Sequence, residues 1–265
     1  MKREATAELG PAMLTTLLLA AGVPASWAGG NGNGGNADDE EQPFDEAQLF
    51  FELNHTDGDL GIHGLVDGDA WKRLEIEDPS EREMLNVWLS GRLRKHGLTE
   101  IFFESAEPTF DELPPAQFFR RFPAGPYEIS GVTLEGQELE SIVEISHVMP
   151  APPQNVLLSG VAAAENCDAE PLPQVSAPVT ISWDPVTTSH PDLGASGKVN
   201  IAQYQLVVER EEPTLLVLSV DLPPEITSFQ LPGNFTTLGD AFKFEILVRD
   251  ENGNRTAVES CFELQ

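Results

Sequence analysis

Apolar and polar residues alternate with a period of two along most of the chain beyond residue 46, the spacing that puts every second side chain on one buried face of a strand. Leu49, Phe51 and Leu53 alternate with Phe50 and Glu52. Residues 60–66 form the next run, and in 71–77 Leu74 and Ile76 oppose Trp71, Arg73, Glu75 and Glu77. Asp57-Gly58-Asp59 and Asp67-Gly68-Asp69 separate these runs and predict turns, because Asp-Gly accepts the backbone a tight hairpin needs. Leu85, Val87 and Leu89 mark a further strand with Trp88 on its other face, and 98–104 marks the next through Ile101 and Phe103. Arg92 and Arg94 share a face and are placed to pair with Glu100 or Glu104 across that ladder. One helix is predicted within 109–122, where Pro114 and Pro115 suit a first turn and Phe118, Phe119 and Phe122 recur at helical spacing. A hairpin of 127–133 and 139–148, turned at Glu135-Gly136, completes seven or so short strands.

These strands predict a first domain over 47–149, a jelly-roll-like or immunoglobulin-like sandwich with one short helix. Pro150, Pro152 and Pro153 form a stiff break, and a second domain is expected over 150–265. Its clearest strand is 179–186, VTISWDPV: Val179, Ile181 and Trp183 point one way, Thr180, Ser182 and Asp184 the other, and Pro185 has no N–H for the ladder. A half-buried Trp on such a strand needs a second sheet above it. WDPV at 183–186, IAQYQLVVE at 201–209 with Tyr204, and the alternation Phe242, Phe244, Ile246, Val248 leading to a hairpin at Asn252-Gly253 resemble fibronectin type III domains. Phe242 stands where that family has a corner tyrosine, and no Arg-Gly-Asp occurs. The resemblance covers about 110 residues and implies an extracellular β-sandwich used for adhesion, spacing or attachment, with no catalytic residue to carry over. The expected fold class is therefore all-β, two β-sandwich domains in tandem.

The N-terminal end changes the setting. Residues 1–28 read as a secretory signal peptide: Lys2 and Arg3, the apolar run 13–21, then the small residues Ser26 and Ala28. That apolar run is too short to span a bilayer. Residues 29–46 combine GGNGNGGN with an acidic run at 38–41 and read as a flexible tether; as a phosphate loop they lack the preceding strand and the Lys. With 15 basic against 44 acidic residues, the net charge of −29 excludes a non-specific nucleic-acid binder or a binder of anionic membranes. Expected partners are cations, basic proteins or neutral surfaces such as carbohydrate, at the cell exterior or in the periplasm, met by a monomer that the same charge keeps soluble.

Two cysteines, Cys167 and Cys261, fall in the second half, and in an exported chain an even count within one domain reads as a disulfide, two buried free thiols being the alternative. Asp57, Asp59, Asp67 and Asp69, with Asn54, are oxygen donors of the kind calcium takes. Turn chemistry alone also explains both Asp-Gly pairs, and seven residues of straight strand between them span roughly 23 Å at about 3.3 Å each, too far to share one ion. His55 and His63 around Asp57 raise a transition-metal reading, while a histidine ending an apolar face more often is a half-buried structural residue. His96 and His190 read as turn residues. Asn54, Asn234 and Asn254 head Asn-X-Thr triplets. No serine elbow, zinc-protease helix or defensible carboxylate pair is present in the sequence. The expected function is a secreted binding or adhesion protein without catalytic activity, Trp71 and Trp88 being candidates to stack on a ligand, with core packing the expected job of at least one of them. The alternatives are a module acting on polysaccharide and a calcium-dependent matrix or surface-layer component.

Overall fold

Alternation becomes strands wherever one face finds a core, and nearly every predicted run does. The computed structural model describes residues 41–265; the signal peptide and most of the tether read from the sequence lie outside the described residues. The first half holds β1 (Glu46–Asn54), β2 (Asp59–Glu77), β3 (Glu83–Trp88), β4 (Leu98–Glu104), α1 (Pro115–Arg121), β5 (Gly125–Thr133) and β6 (Glu138–Ile145). The second holds β7 (Leu157–Leu158), β8 (Val161–Ala162), β9 (Gln174–Val175), β10 (Thr180–Ser182), β11 (Ile201–Arg210), β12 (Leu216–Leu222), β13 (Ser228–Gln230), α2 (Gly233–Thr236), β14 (Ala241–Asp250) and β15 (Arg255–Leu264). The protein is an all-β sandwich.

Asp67-Gly68-Asp69 is not a turn. It lies inside β2, a single 19-residue strand that shifts register between Asp67 and Trp71 and so merges two predicted strands. The two Asp-Gly pairs differ in backbone: Gly58 has φ +69° and makes the expected turn, whereas Gly68 stays out of the left-handed region. Gly68 is small for another reason, since a Cβ there would stand 3.0 Å from the Phe44 ring. The first part of β2 pairs with β1 and β4, and the second with β3 and β5, so one strand serves both layers of the first sandwich. Arg92 and Arg94 do not sit on a strand either; they belong to a one-turn 3₁₀ helix at Leu93–Lys95 and its N-terminal flank.

The first core gathers Leu49, Phe51 and Leu53 of β1 with Leu74 and Ile76 of β2, and α1 closes it with Phe118 and Phe119. Trp71, expected on the wet face, is fully buried there because the register shift turns it inward. In the second core Trp183 meets the Tyr204 ring edge-on with centroids 5.3 Å apart, and the Tyr204 hydroxyl accepts the Val186 N–H at 2.8 Å.

One sheet runs through both halves in the order β12-β11-β14-β15-β1-β2-β5-β6, and a four-stranded sheet, β13-β10-β7-β8, covers the second core. The seam is the parallel pairing of β1 with β15 at Glu52↔Arg255, Leu53↔Thr256 and Asn54↔Ala257. Around it the proline segment is pinned: Thr256 donates its hydroxyl to the Pro150 carbonyl at 2.8 Å, and the Ala151 N–H bonds the Thr188 carbonyl at 2.9 Å. Cys167 and Cys261 are bonded, tying the chain between β8 and β9 to β15.

Candidate functional site

Pairing across the seam lines up a second face of the joined sheet, opposite the apolar cores. Residues directly opposite one another share a face. One row therefore runs Arg249, Arg255, Glu52, Gly61 from β14 to β2, the next adds Phe50, His63 and Glu104, and on the other side Glu245 stands opposite Glu259. This face is rich in charge yet much of it is buried, because long side chains lie over it. Arg255 places its guanidinium 4.1 Å from the centre of the Phe50 ring, and His63 stacks on that same ring with centroids 5.3 Å apart. Phe50 is thus buried on the face that alternation assigns to water.

Acids outnumber bases here. Lys243 holds Glu259 at 2.8 Å, and Arg255 reaches one oxygen of Glu52 at 3.4 Å. The Asp59 carboxyl, half-buried beside Glu107, Asp57 and Glu259, is pushed up to about 7, burial contributing most. Glu104 and Glu209 are raised as well, chiefly by burial. Glu245 is raised furthest: it is fully enclosed, faces Glu52 and Glu259, and its Oε2 has no hydrogen-bond partner. A carboxyl that binds its proton more tightly when folded contributes stability below the ordinary Glu range and loses it as pH rises toward the folded value. Glu245→Gln is therefore expected to stabilise the protein by about 1–3 kcal/mol at pH 8 and by little at pH 4. Urea denaturation of both forms at the two pH values measures this, and equal gains at each pH would assign the effect to packing instead.

Of the four aspartates predicted as calcium ligands, Asp57 and Asp59 flank the β1–β2 turn, with Asn54 bonding Asp57 at 3.3 Å and Glu259 at 3.4 Å. Asp67 and Asp69 lie further along β2, so the structure brings only the first pair together with other acids. The cluster that sequence reasoning missed is Glu52, His63 and Glu107, which offer one ligand atom each within 4.8 Å of one another. No spacing in the sequence signals it, because the three come from β1, β2 and the loop after β4. His63 Nε2 stands 3.0 Å from Glu107 Oε1, and Gly61 makes room: a Cβ there would sit 2.7 Å from that oxygen and 3.1 Å from His63 Nε2.

Three other histidines are engaged with neighbouring groups. His190 is buried, and its Nδ1 accepts the N–H groups of Asp192 and Leu193, which leaves Nε2–H to donate to His55 Nδ1 at 3.3 Å. His147 packs on Phe119 and donates to the Phe122 carbonyl at 2.7 Å. Trp88 is 61% exposed, so of the two predicted stacking residues it is the one that solvent reaches. A cleft of about 700 Å³ lies at the seam, lined by His55, Thr56, Phe244, Glu259 and the buried, unpartnered hydroxyl of Ser260.

No protein-family model matches the chain, and no curated protein matches it. Among solved structures it is similar to a tetra-tandem repeat from the extending region of a large adhesion protein, at 13% identity and a TM-score of 0.26, covering 83% of this chain and half of that one. It is also similar to part of a 1.5-MDa bacterial ice-binding adhesin, described for host cell surface retention, at 12% identity and a TM-score of 0.23, covering 85% and 67%. The human OSCAR ligand-binding domain is similar at 14% identity and a TM-score of 0.26, covering 82% and 97%. Likeness this slight carries no argument about function. Among the described residues no helix is long and apolar enough to cross a membrane.

Proposed function

We propose that the protein is a secreted, acidic binding or adhesion module without catalytic activity, which meets a cationic partner surface at the cell exterior. The observation that carries this reading is the joined sheet: its seam face and rim concentrate Glu52, Asp57, Glu104, Glu107 and Glu259 around two paired cations, in a chain of net charge −29. An excess of one sign on one face steers and orients an oppositely charged partner. The Cys167–Cys261 bond suits an oxidising compartment, where such bonds persist.

Surface plasmon resonance over an immobilised basic protein tests it. Binding is expected to weaken as salt rises, and Asp57→Asn with Glu104→Gln on the exposed rim of this face is expected to weaken it about tenfold, or roughly 1.4 kcal/mol. Glu81→Gln with Glu83→Gln, equal in charge but outside the face, leaves it near the parent. Equal losses in both pairs, or turnover of a polysaccharide panel by the purified chain, would overturn the reading.

A further inference from the structure

We propose that Glu52, His63 and Glu107 form a binding site for a divalent transition ion, with zinc the best match to their donors. The site shares Glu52 and Glu107 with the binding face above, but a zinc titration reads it without any protein partner, so either proposal can fail alone. Its three ligand atoms lie within 4.8 Å of one another, and tetrahedral zinc ligands at about 2.0–2.2 Å stand roughly 3.5 Å apart, so an ion would draw the carboxylates in by about 1 Å, a movement within reach of a side-chain rotation. One imidazole nitrogen and two carboxylate oxygens make a borderline donor set. Calcium and magnesium prefer oxygen alone and more of it, whereas three such ligands with a fourth position open describe many zinc sites.

The surroundings favour a cation there. His63 is buried, its Nδ1 has no hydrogen-bond partner, and Glu107 is the one group that bonds the ring among the described residues. A metal at Nε2 would take the place of the hydrogen bond that this nitrogen now shares with Glu107. Glu104 sits directly across from His63, and Asp59 is close enough to Glu107 to feel its charge, so the local balance is negative even with Arg255 beside Glu52. Arg255 contacts only Oε2 of Glu52, and a carboxylate has a second oxygen to give. Glu107 keeps 31% of its side chain in solvent, which supplies the way in, while Glu52 and His63 are held by the strands beneath. Gly61 completes the arrangement, because any side chain at this position would occupy the space in which Glu107 reaches His63.

The test uses the untagged full chain, stripped with chelator and titrated with zinc chloride by calorimetry, with thermal melts in parallel. One zinc per chain and a raised melting temperature are expected. Glu107→Gln is expected to weaken zinc binding at least about tenfold, the size of effect seen when a metal's supporting carboxylate is lost, while leaving the metal-free melt near the parent. Gly61→Ala is expected to do the same by displacing Glu107, and if that variant does not fold, Glu107→Gln decides alone. Absence of zinc binding, or unchanged affinity in Glu107→Gln, would overturn the proposal. So would a rise in melting temperature with calcium but not zinc, abolished by Asp57→Ala, which would move the ion to the turn.

Discussion

Asn254→Ala is expected to lower stability by about 3–5 kcal/mol, from roughly 1–3 kcal/mol for each buried backbone group left unpaired. The Asn254 side chain is buried at the seam and makes three bonds: its Oδ1 accepts the Phe51 N–H at 2.9 Å, and its Nδ2 donates to the carbonyls of Ser146 at 2.8 Å and Val148 at 2.9 Å. One amide thus joins β1, the segment after β6 and the start of β15. Asn254→Asp keeps the acceptor but loses both donations and buries a charge, so it is expected to be no milder than alanine. Urea denaturation of the two variants measures this. A loss under about 1 kcal/mol in both would mean that the seam is held by strand pairing and that the amide is incidental. The same burial makes Asn254, read in the sequence as the head of an Asn-X-Thr triplet, inaccessible to a modifying enzyme once the chain has folded.

Removing the disulfide is expected to cost about as much. Cys167 and Cys261 are 94 residues apart, and restoring the freedom of an unfolded loop of that length costs about 4–5 kcal/mol by loop entropy. Cys167→Ser with Cys261→Ser is the cleaner experiment, because the segment it frees, between β8 and β9, has little regular structure of its own to hold it. The bond links a chain leaving the four-stranded sheet to β15 of the larger one, so its loss is expected to loosen the 163–173 segment first. Hydrogen exchange would then rise in that segment and in β9 before it rises in β11 or β14. Uniform exchange across the second half would mean that the bond acts only on the unfolded chain.

Periodicity determined most of what is local. The β1, β4, β5–β6 and β14–β15 runs and the proline-started helix α1 all follow from side-chain spacing, because each is a segment whose one apolar face demands a core; of the strand predicted over 179–186 only β10, Thr180–Ser182, pairs, with the buried Trp183 just beyond its end. Two cysteines in one half of a chain whose first residues read as a secretory signal also sufficed to predict their bond. Where that reasoning erred, a residue's role depended on a neighbour distant in sequence. Asp67-Gly68-Asp69 carries the chemistry of a hairpin, yet β2 continues through it because β4 and β5 offer partners on either side of the shift and Phe44 needs the space over Gly68. Trp71 turns inward with that shift, and Phe50 is covered by Arg255, which comes from the far end of the chain.

The sequence by itself determined an all-β protein with two apolar cores, a disulfide and a strong excess of acid, since composition and a period of two are properties of short stretches. Only the tertiary structure decided that one sheet runs through both halves, that Asn254 clasps the seam, and that Glu52, His63 and Glu107 meet over Gly61. Those features are contacts between strands far apart in the chain. Local alternation records which face of each strand is apolar, but not which strand will lie beside it.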